Sequence, residues 1–307
     1  MQTILGANGV IGREVSRALL QYTDRIRQVS RSPAAVNPGD ELHPADLLDA
    51  DATERAVAGS EVAYLVAGLR YDTEVWRAQW PRVMENVIRA CRTHGSRLVF
   101  FDNVYAYGLV RGPMTEDTPF RPSSRKGEVR AAIARTLLDA VAAGEVEAMI
   151  VRAADFYGPG AVQSVVQTTV FDRLKAGKTP QWIGSAKAIH TFTYTPDAGR
   201  ATAFLGQRPE AFGQTWHLPT SPEEMTGERF VALACELAGR PNRLQVAPRW
   251  MLRAMGLFVP ELRENMEMMY QFEQDYRFET RKVEAAYGLR ATDYRVGIAE
   301  TLRGTAG

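Results

Sequence analysis

Two cysteines, four isolated histidines and no surplus of either charge set the first limits on this chain. Cys91 and Cys235 each sit in a helix-like stretch (VIRACRTHG and FVALACELAG), so no disulfide framework can staple a small secreted fold. They read instead as buried thiols in a reducing compartment. His43, His94, His190 and His217 are scattered singly, which leaves no metal-ligand spacing. Lys+Arg 37 against Asp+Glu 36 leaves little to neutralise a phosphate backbone, and no basic run marks a nucleic-acid or membrane surface. No apolar run is long enough to cross a bilayer, and a strand beginning at about Gln2 is not expected to follow a secretory leader. The expected location is the cytoplasm and the expected partner a small molecule, with nucleic acid and membrane excluded.

What the chain does have is bulk and alternation. With 307 residues, 45% of them hydrophobic and 24% charged, it can bury a large core and carry a smaller attached lobe. Strand-like runs occur at QTIL (2 to 5), RIRQVS (25 to 30), ELHPAD (41 to 46), VAYLVA (62 to 67), RLVFFD (97 to 102) and EAMIVRA (147 to 153). Between them the apolar residues recur at helical spacing, as in Ile11, Val15, Ala18, Leu19 and Tyr22, or Val129, Ile133, Leu137 and Val141. This pattern predicts an α/β fold with a doubly wound parallel sheet of the Rossmann type. Alternation stops after Gly158-Pro159-Gly160, and HTFTYTPDAGRATAFL (190 to 205) is expected to return to the main sheet as a strand and a helix. The expected division is a sheet-bearing domain of residues 1–160 and 190–207 and a smaller substrate-binding lobe of 161–189 and 208–307. A ligand is expected at the carboxyl ends of the strands.

ILGANGVIG (4 to 12) places Gly6, Gly9 and Gly12 between the first strand and the first helix. Backbone amides from Asn8 through Val10 and Ile11, with the positive end of the helix dipole, suit a dinucleotide pyrophosphate. The second strand ends in Ser30-Arg31-Ser32, where a carboxylate would grip the ribose of NAD. Arg31 can instead bind a 2′-phosphate through charge-assisted bonds of roughly 1.5 to 3 kcal/mol. NADP(H) is therefore the expected cofactor, with Arg13 as a second cation and NAD left open. Asp46 and Leu47, after the third strand, are expected at the adenine edge, and Ala67-Gly68-Leu69 leaves room for the dinucleotide backbone.

Together these pieces resemble the extended short-chain dehydrogenase/reductase superfamily, and in particular proteins of the NAD-dependent epimerase/dehydratase type. The matching segments are GANGVIG (6 to 12), DLLD (46 to 49), MENVIRACRTHG (84 to 95), FFDNVYAYG (100 to 108), EDTPFRP (116 to 122), RAADFYGPG (152 to 160), TYTPDAGRA (193 to 201) and YGLRATDYRVGIAETL (287 to 302). The resemblance implies redox chemistry at a carbonyl carbon by a Tyr-x-x-x-Lys pair after the fifth strand, helped by a Ser or Thr at that strand's end. In this chain the hydroxyl position falls on Asn103 and the pair on Lys126 and Arg130.

A positioned acid or base contributes about 10² to 10⁴ in rate, so the missing tyrosine matters. Lys126 and Arg130 share one helical face; either Lys126 handles the proton, or both hold ribose and phosphate oxygens of the cofactor. Tyr157 of DFYGPG is a replacement hydroxyl. An atypical branch of the superfamily, the plant progesterone 5β-reductases and iridoid synthases, likewise has a lysine at the tyrosine position and a later tyrosine, and reduces activated carbon–carbon double bonds. Tyr107 is a further candidate, and Arg152 and Lys187 are candidates for an anionic substrate group.

The smaller lobe carries Trp182, Trp216 and Trp250 with Met251, Met255, Met266, Met268 and Met269. Helical spacing reads these as core, and flexible thioethers also suit an adaptable apolar pocket. Three functions stay open: an NADP(H)-dependent reductase of a small carbonyl or enone with a non-standard proton donor, a non-catalytic NADP(H) sensor, and a nucleotide-sugar epimerase or dehydratase. The resemblance also implies a homodimer through the helices near 76 to 92 and 124 to 143.

Overall fold

The computed structural model describes residues 1–247, 264 and 266–304, so Trp250, Met251 and Met255 lie outside the described residues. The chain forms two compact units. The first comprises Met1–Ala106, Arg125–Ala153 and Ala198–Leu218; the second comprises Tyr107–Ser124, Ala154–Asp197 and the chain from Pro219 onward.

The first unit is built on a seven-stranded sheet. Its strands are β1 (Gln2–Leu5), β2 (Ile26–Ser30), β3 (Glu41–Pro44), β4 (Val62–Leu65), β5 (Arg97–Asp102), β7 (Ala148–Arg152) and β11 (Thr215–His217), where β6 (Pro113–Met114), β8 (Asp155–Tyr157), β9 (Gln181–Ile183) and β10 (Phe192–Tyr194) belong to the second unit. The order across the sheet is β11-β7-β5-β4-β1-β2-β3. Every neighbouring pair runs parallel. Such strands are covered on both faces and therefore read as continuous apolar runs. Accordingly β1, β4 and β7 are buried at every residue, whereas β3, at the edge, is largely exposed.

The covering helices follow their apolar stripes. In α1 (Val10–Leu19) Ile11, Val15 and Leu19 face the core while Arg13 and Arg17 face water. Each such apolar side chain contributes roughly 1.5 to 3 kcal/mol when fully buried. Next come α2 (Ala50–Val57), α3 (Thr73–His94), α4 (Arg125–Ala142), the short α5 (Asp172–Lys175) of the second unit, and α6 (Thr195–Gly206). Cys91 on α3 and Cys235 in the second unit are both free and buried, as expected, and burial pushes the Cys91 thiol up to about 12.

One expectation is corrected. The strand of the 190 to 205 segment does not return to the main sheet: β10 pairs in parallel with β8, Tyr194 opposite Tyr157, inside the second unit. The place beside β7 is taken by β11, with His217 opposite Arg152. A three-residue strand has too little alternation to reveal which sheet it joins, and Thr-Trp-His in β11 is no apolar run of the kind seen in β4 and β7.

The second unit collects short parallel pairs, β8 with β10, β9 with β12 (Gln245–Ala247) and β6 with β13 (Arg277–Phe278). Of these, β8, β9 and β10 pack with α7 (Gly227–Leu237) and the terminal helix Tyr294–Arg303 around a core of Tyr157, Phe171, Trp182, Phe192, Phe230 and Tyr294. Trp182, Met268 and Met269 are buried in this unit, and Trp216 is buried in the first, so those expected core positions are core. Among the described residues no helix is long and apolar enough to cross a membrane.

Candidate functional site

The three glycines of the opening loop have different reasons for being glycine. Gly6 has φ +101, and a Cβ there would lie 2.4 Å from the Ala67 Cα. At Gly12 a Cβ would lie 2.8 Å from the Ala7 carbonyl oxygen. Packing within the protein therefore demands both. A Cβ at Gly9 would meet only the Gly6 carbonyl oxygen, at an ordinary 3.5 Å. Nothing in the fold requires glycine at this exposed position, which is also the cap residue of α1.

That cap is bare. Asp49, Asp72 and Thr226 accept backbone hydrogen bonds at the starts of α2, α3 and α7, but Gly9 offers α1 no side-chain acceptor and no acidic residue occupies its first turn. Helix starts carry backbone donors that need an acceptor from outside the helix. An anion is the complement of such an end.

Asn8 ties this loop to the segment after β2. Its amide nitrogen donates to the Ser32 carbonyl at 2.8 Å, and its oxygen accepts from the Ala34 amide at 3.3 Å. The Ser32 amide in turn donates to the Ser30 hydroxyl at 3.2 Å. Arg31 is thereby carried beside the glycine loop, exposed and with no ion pair among the described residues; Arg13 is exposed on the first turn of α1. Ala67 abuts Gly6, and a Cβ on the following Gly68 would meet nothing within 4 Å; Leu69 is half-buried. Asp46 is exposed and shapes its own turn by accepting the Leu48 amide at 3.0 Å. Leu47 is buried, and its carbonyl is taken by Asn86 of α3 at 2.9 Å.

At the end of β5 a second group of residues assembles. The Asp102 carboxylate, 1% exposed, accepts from the Asn103 amide at 2.8 Å, from Arg130 Nε at 2.7 Å and from Arg152 Nε at 3.1 Å. The Arg130 guanidinium is enclosed by rings, with centroids at 4.5 Å for Trp80, 5.0 Å for Phe100 and 5.8 Å for Trp76. A planar, weakly hydrated cation suits such a box, and a charge-assisted pair offsets much of its desolvation. The sequence pattern points Arg130 toward catalysis or cofactor and Arg152 toward an anionic substrate; both guanidiniums are instead buried on one carboxylate. Asn103 is half-buried, and its side-chain oxygen accepts the Tyr105 amide at 3.0 Å, leaving its NH₂ group as the donor it can present.

Lys126, four residues before Arg130 on α4, is 0% exposed. Its Nζ donates to Thr73 Oγ1 at 2.9 Å and lies 4.7 Å from the Tyr71 ring centroid. Trp76 meets Tyr71 edge-on at 5.5 Å and stacks on Tyr105 at 6.2 Å. Lys126 is the only lysine in the first unit, whose other strong bases are all arginines. Tyr71, Thr73 and Asp102 escape sequence reasoning; the signal that could find the first two is Tyr-Asp-Thr at the capped start of α3.

Tyr157 has a different setting. It is 1% exposed, and its ring is packed against Tyr194, Tyr294, Phe230 and Phe192 with centroids at 5.2, 5.7, 5.7 and 6.3 Å. The hydroxyl is buried with no hydrogen-bond partner, and a Cβ on Gly297 would lie 2.5 Å from it. Burial raises this phenol well above its ordinary value. Tyr107 is likewise buried, against Phe120 at 6.1 Å, while Lys187 is exposed.

A model of the NAD-dependent epimerase/dehydratase family matches residues 3–218, most of the chain. The chain belongs to that family. No curated protein matches it. Among solved structures, a UDP-glucose 4-epimerase of Thermus thermophilus, in complex with NAD, is similar over 100% of both chains with a TM-score of 0.79 and 20% identity. The Streptomyces venezuelae dTDP-glucose 4,6-dehydratase, with NAD bound, covers 99% of this chain and 96% of its own at TM-score 0.78 and 17% identity. A dTDP-glucose 4,6-dehydratase of Bacillus anthracis, in complex with NAD, gives 98% and 95%, TM-score 0.80 and 14% identity. At these identities the likeness shows the Rossmann-type fold, which can host many chemistries.

Proposed function

We propose that this protein is an NAD(P)-dependent enzyme of epimerase or dehydratase chemistry, acting on a hydroxyl- or carbonyl-bearing small molecule such as a nucleotide-sugar, with Lys126 handling the proton. The bare helix start and the unforced glycine at position 9 fit the diphosphate of a dinucleotide. Arg31, exposed beside the loop, favours a cofactor with a 2′-phosphate, although the loop serves NAD equally. When bound, the cofactor supplies or accepts a hydride.

The remaining chemistry rests on this chain's residues, and one observation carries it: the lone lysine of an otherwise arginine-bearing unit is wholly buried. Lysine is almost never fully buried without a partner or a task. Unlike a guanidinium, an amine can give up and regain a proton, which is what a stand-in for the absent tyrosine must do. On this reading Lys126 Nζ exchanges a proton with the substrate oxygen, and the Asn103 NH₂ group donates a hydrogen bond to the same oxygen. Tyr71, Trp76 and Tyr105 supply an apolar wall. Arg130 plays no part toward the cofactor, because its charge is spent on Asp102, and Tyr157 is a core residue.

Net reduction of a carbonyl or enone is the second reading, favoured by Arg31 and by a lysine where the resemblance places a tyrosine. The test is turnover of purified protein with each oxidised and reduced dinucleotide, against nucleotide-sugars on one side and aldehydes, ketones and enones on the other. Epimer exchange or elimination on a nucleotide-sugar, abolished in Lys126→Met with dinucleotide affinity intact, is the expected result. Dinucleotide binding with no reaction on either panel would overturn the assignment and leave a sensor.

A further inference from the structure

We infer that Thr73, with the ring of Tyr71, is a positioning residue that fixes the amine of Lys126, an inference that rests on the proton-handling assignment above. An amine on four methylenes has many rotamers, and catalysis by such a group requires that it be held where it reacts. Three consecutive residues do this. Asp72 caps α3 by accepting the Val75 amide at 2.9 Å, which fixes the backbone on which Thr73 stands as first helical residue. The β-branched Thr73 side chain has restricted rotation, so its Oγ1 is a stiff acceptor for Nζ at 2.9 Å. Tyr71 turns its ring toward the same nitrogen, 4.7 Å from centroid to Nζ, and adds attraction to the cation without claiming a second specific proton. Tyr71 comes from the connection between β4 and α3 and Thr73 from the first position of α3, both distant in sequence from α4, so the seat exists only in the folded unit.

The experiment reads the amine directly and needs no turnover. Trace acetylation with acetic anhydride over a series of pH values, followed by peptide mass spectrometry, gives the rate at Lys126 relative to exposed Lys175, Lys178 and Lys187. In Thr73→Val the amine loses the Thr73 acceptor, and the relative rate at Lys126 is expected to rise at least about fivefold with a shifted pH profile, the range expected for one lost hydrogen bond. Thr73→Ser is expected to restore the parental rate and profile. Parental labelling of Lys126 in Thr73→Val would overturn the inference. A uniform rise at all lysines would report unfolding of that variant, and Tyr71→Leu then decides: faster labelling confined to Lys126 supports the seat, and unchanged labelling overturns it. Failure here leaves the proposed role of Lys126 standing, because that role is tested by turnover in Lys126→Met.

Discussion

Two strand ends in this molecule carry glycine-rich signatures, GANGVIG after β1 and FYGPG at β8, and the fold uses them in opposite ways. At the first, packing explains Gly6 and Gly12 but not Gly9, and the helix that follows starts without a cap. At the second, the protein itself fills the space at Gly158 and Tyr157: a Cβ on Gly158, at φ +143, would lie 2.2 Å from Thr195 Oγ1, and the Tyr157 hydroxyl is closed in by Gly297. A glycine the protein needs for its own packing says nothing of a ligand. One it does not need, standing beside unclaimed donors, does.

Perturbing each end should separate them, and the largest effect is expected at Lys126, to which the proposed function gives the proton. Lys126→Met should lower turnover by about 10² to 10⁴ while dinucleotide affinity, measured by calorimetry, stays within about threefold. Gly6→Ala and Gly158→Ala should each lower unfolding stability by roughly 2 to 5 kcal/mol in urea melts, since positive φ and a clash act together. A loss below about 1 kcal/mol at either site would mean its neighbours yield easily, and packing would no longer explain that glycine. Arg31→Ala should reduce the preference for the 2′-phosphorylated dinucleotide about ten- to a hundredfold in paired titrations.

Gly9→Ala sharpens the contrast further. Its stability should stay within about 0.5 kcal/mol of the parent while dinucleotide binding weakens at least about tenfold. Normal binding in that variant would erase the distinction between the two strand ends. The smallest effect is expected for Tyr157→Phe, which removes a buried hydroxyl that has no partner. Turnover should stay within about twofold and stability should be unchanged or rise by up to about 1 kcal/mol. A large loss of activity would return Tyr157 to the reaction.

The main sheet is readable because its central strands are buried on both faces and use β-branched residues; β1 and β5 begin and end where the pattern says. The seventh strand is not, because Thr-Trp-His is too short for a period to appear. In the site, the glycine loop can be read from spacing alone, since one local turn carries it. The fate of Arg130 cannot, because it is set by the ring faces of Trp76 and Trp80 on another helix and by a carboxylate 28 residues back in sequence. The setting of Tyr157 is hidden for the same reason: its hydroxyl is enclosed by a glycine of the terminal helix, which no local motif announces.

Asp102 constrains how this protein can change. It is a single negative centre shared by two guanidiniums from different elements, so the amide isostere Asn would remove the charge that both of them face. Dismissing one arginine is the lesser injury. Positions 102, 130 and 152 are therefore energetically coupled: loss of the aspartate alone should cost more than loss of either cation, and the cost falls on the end of β5 on which Asn103 stands.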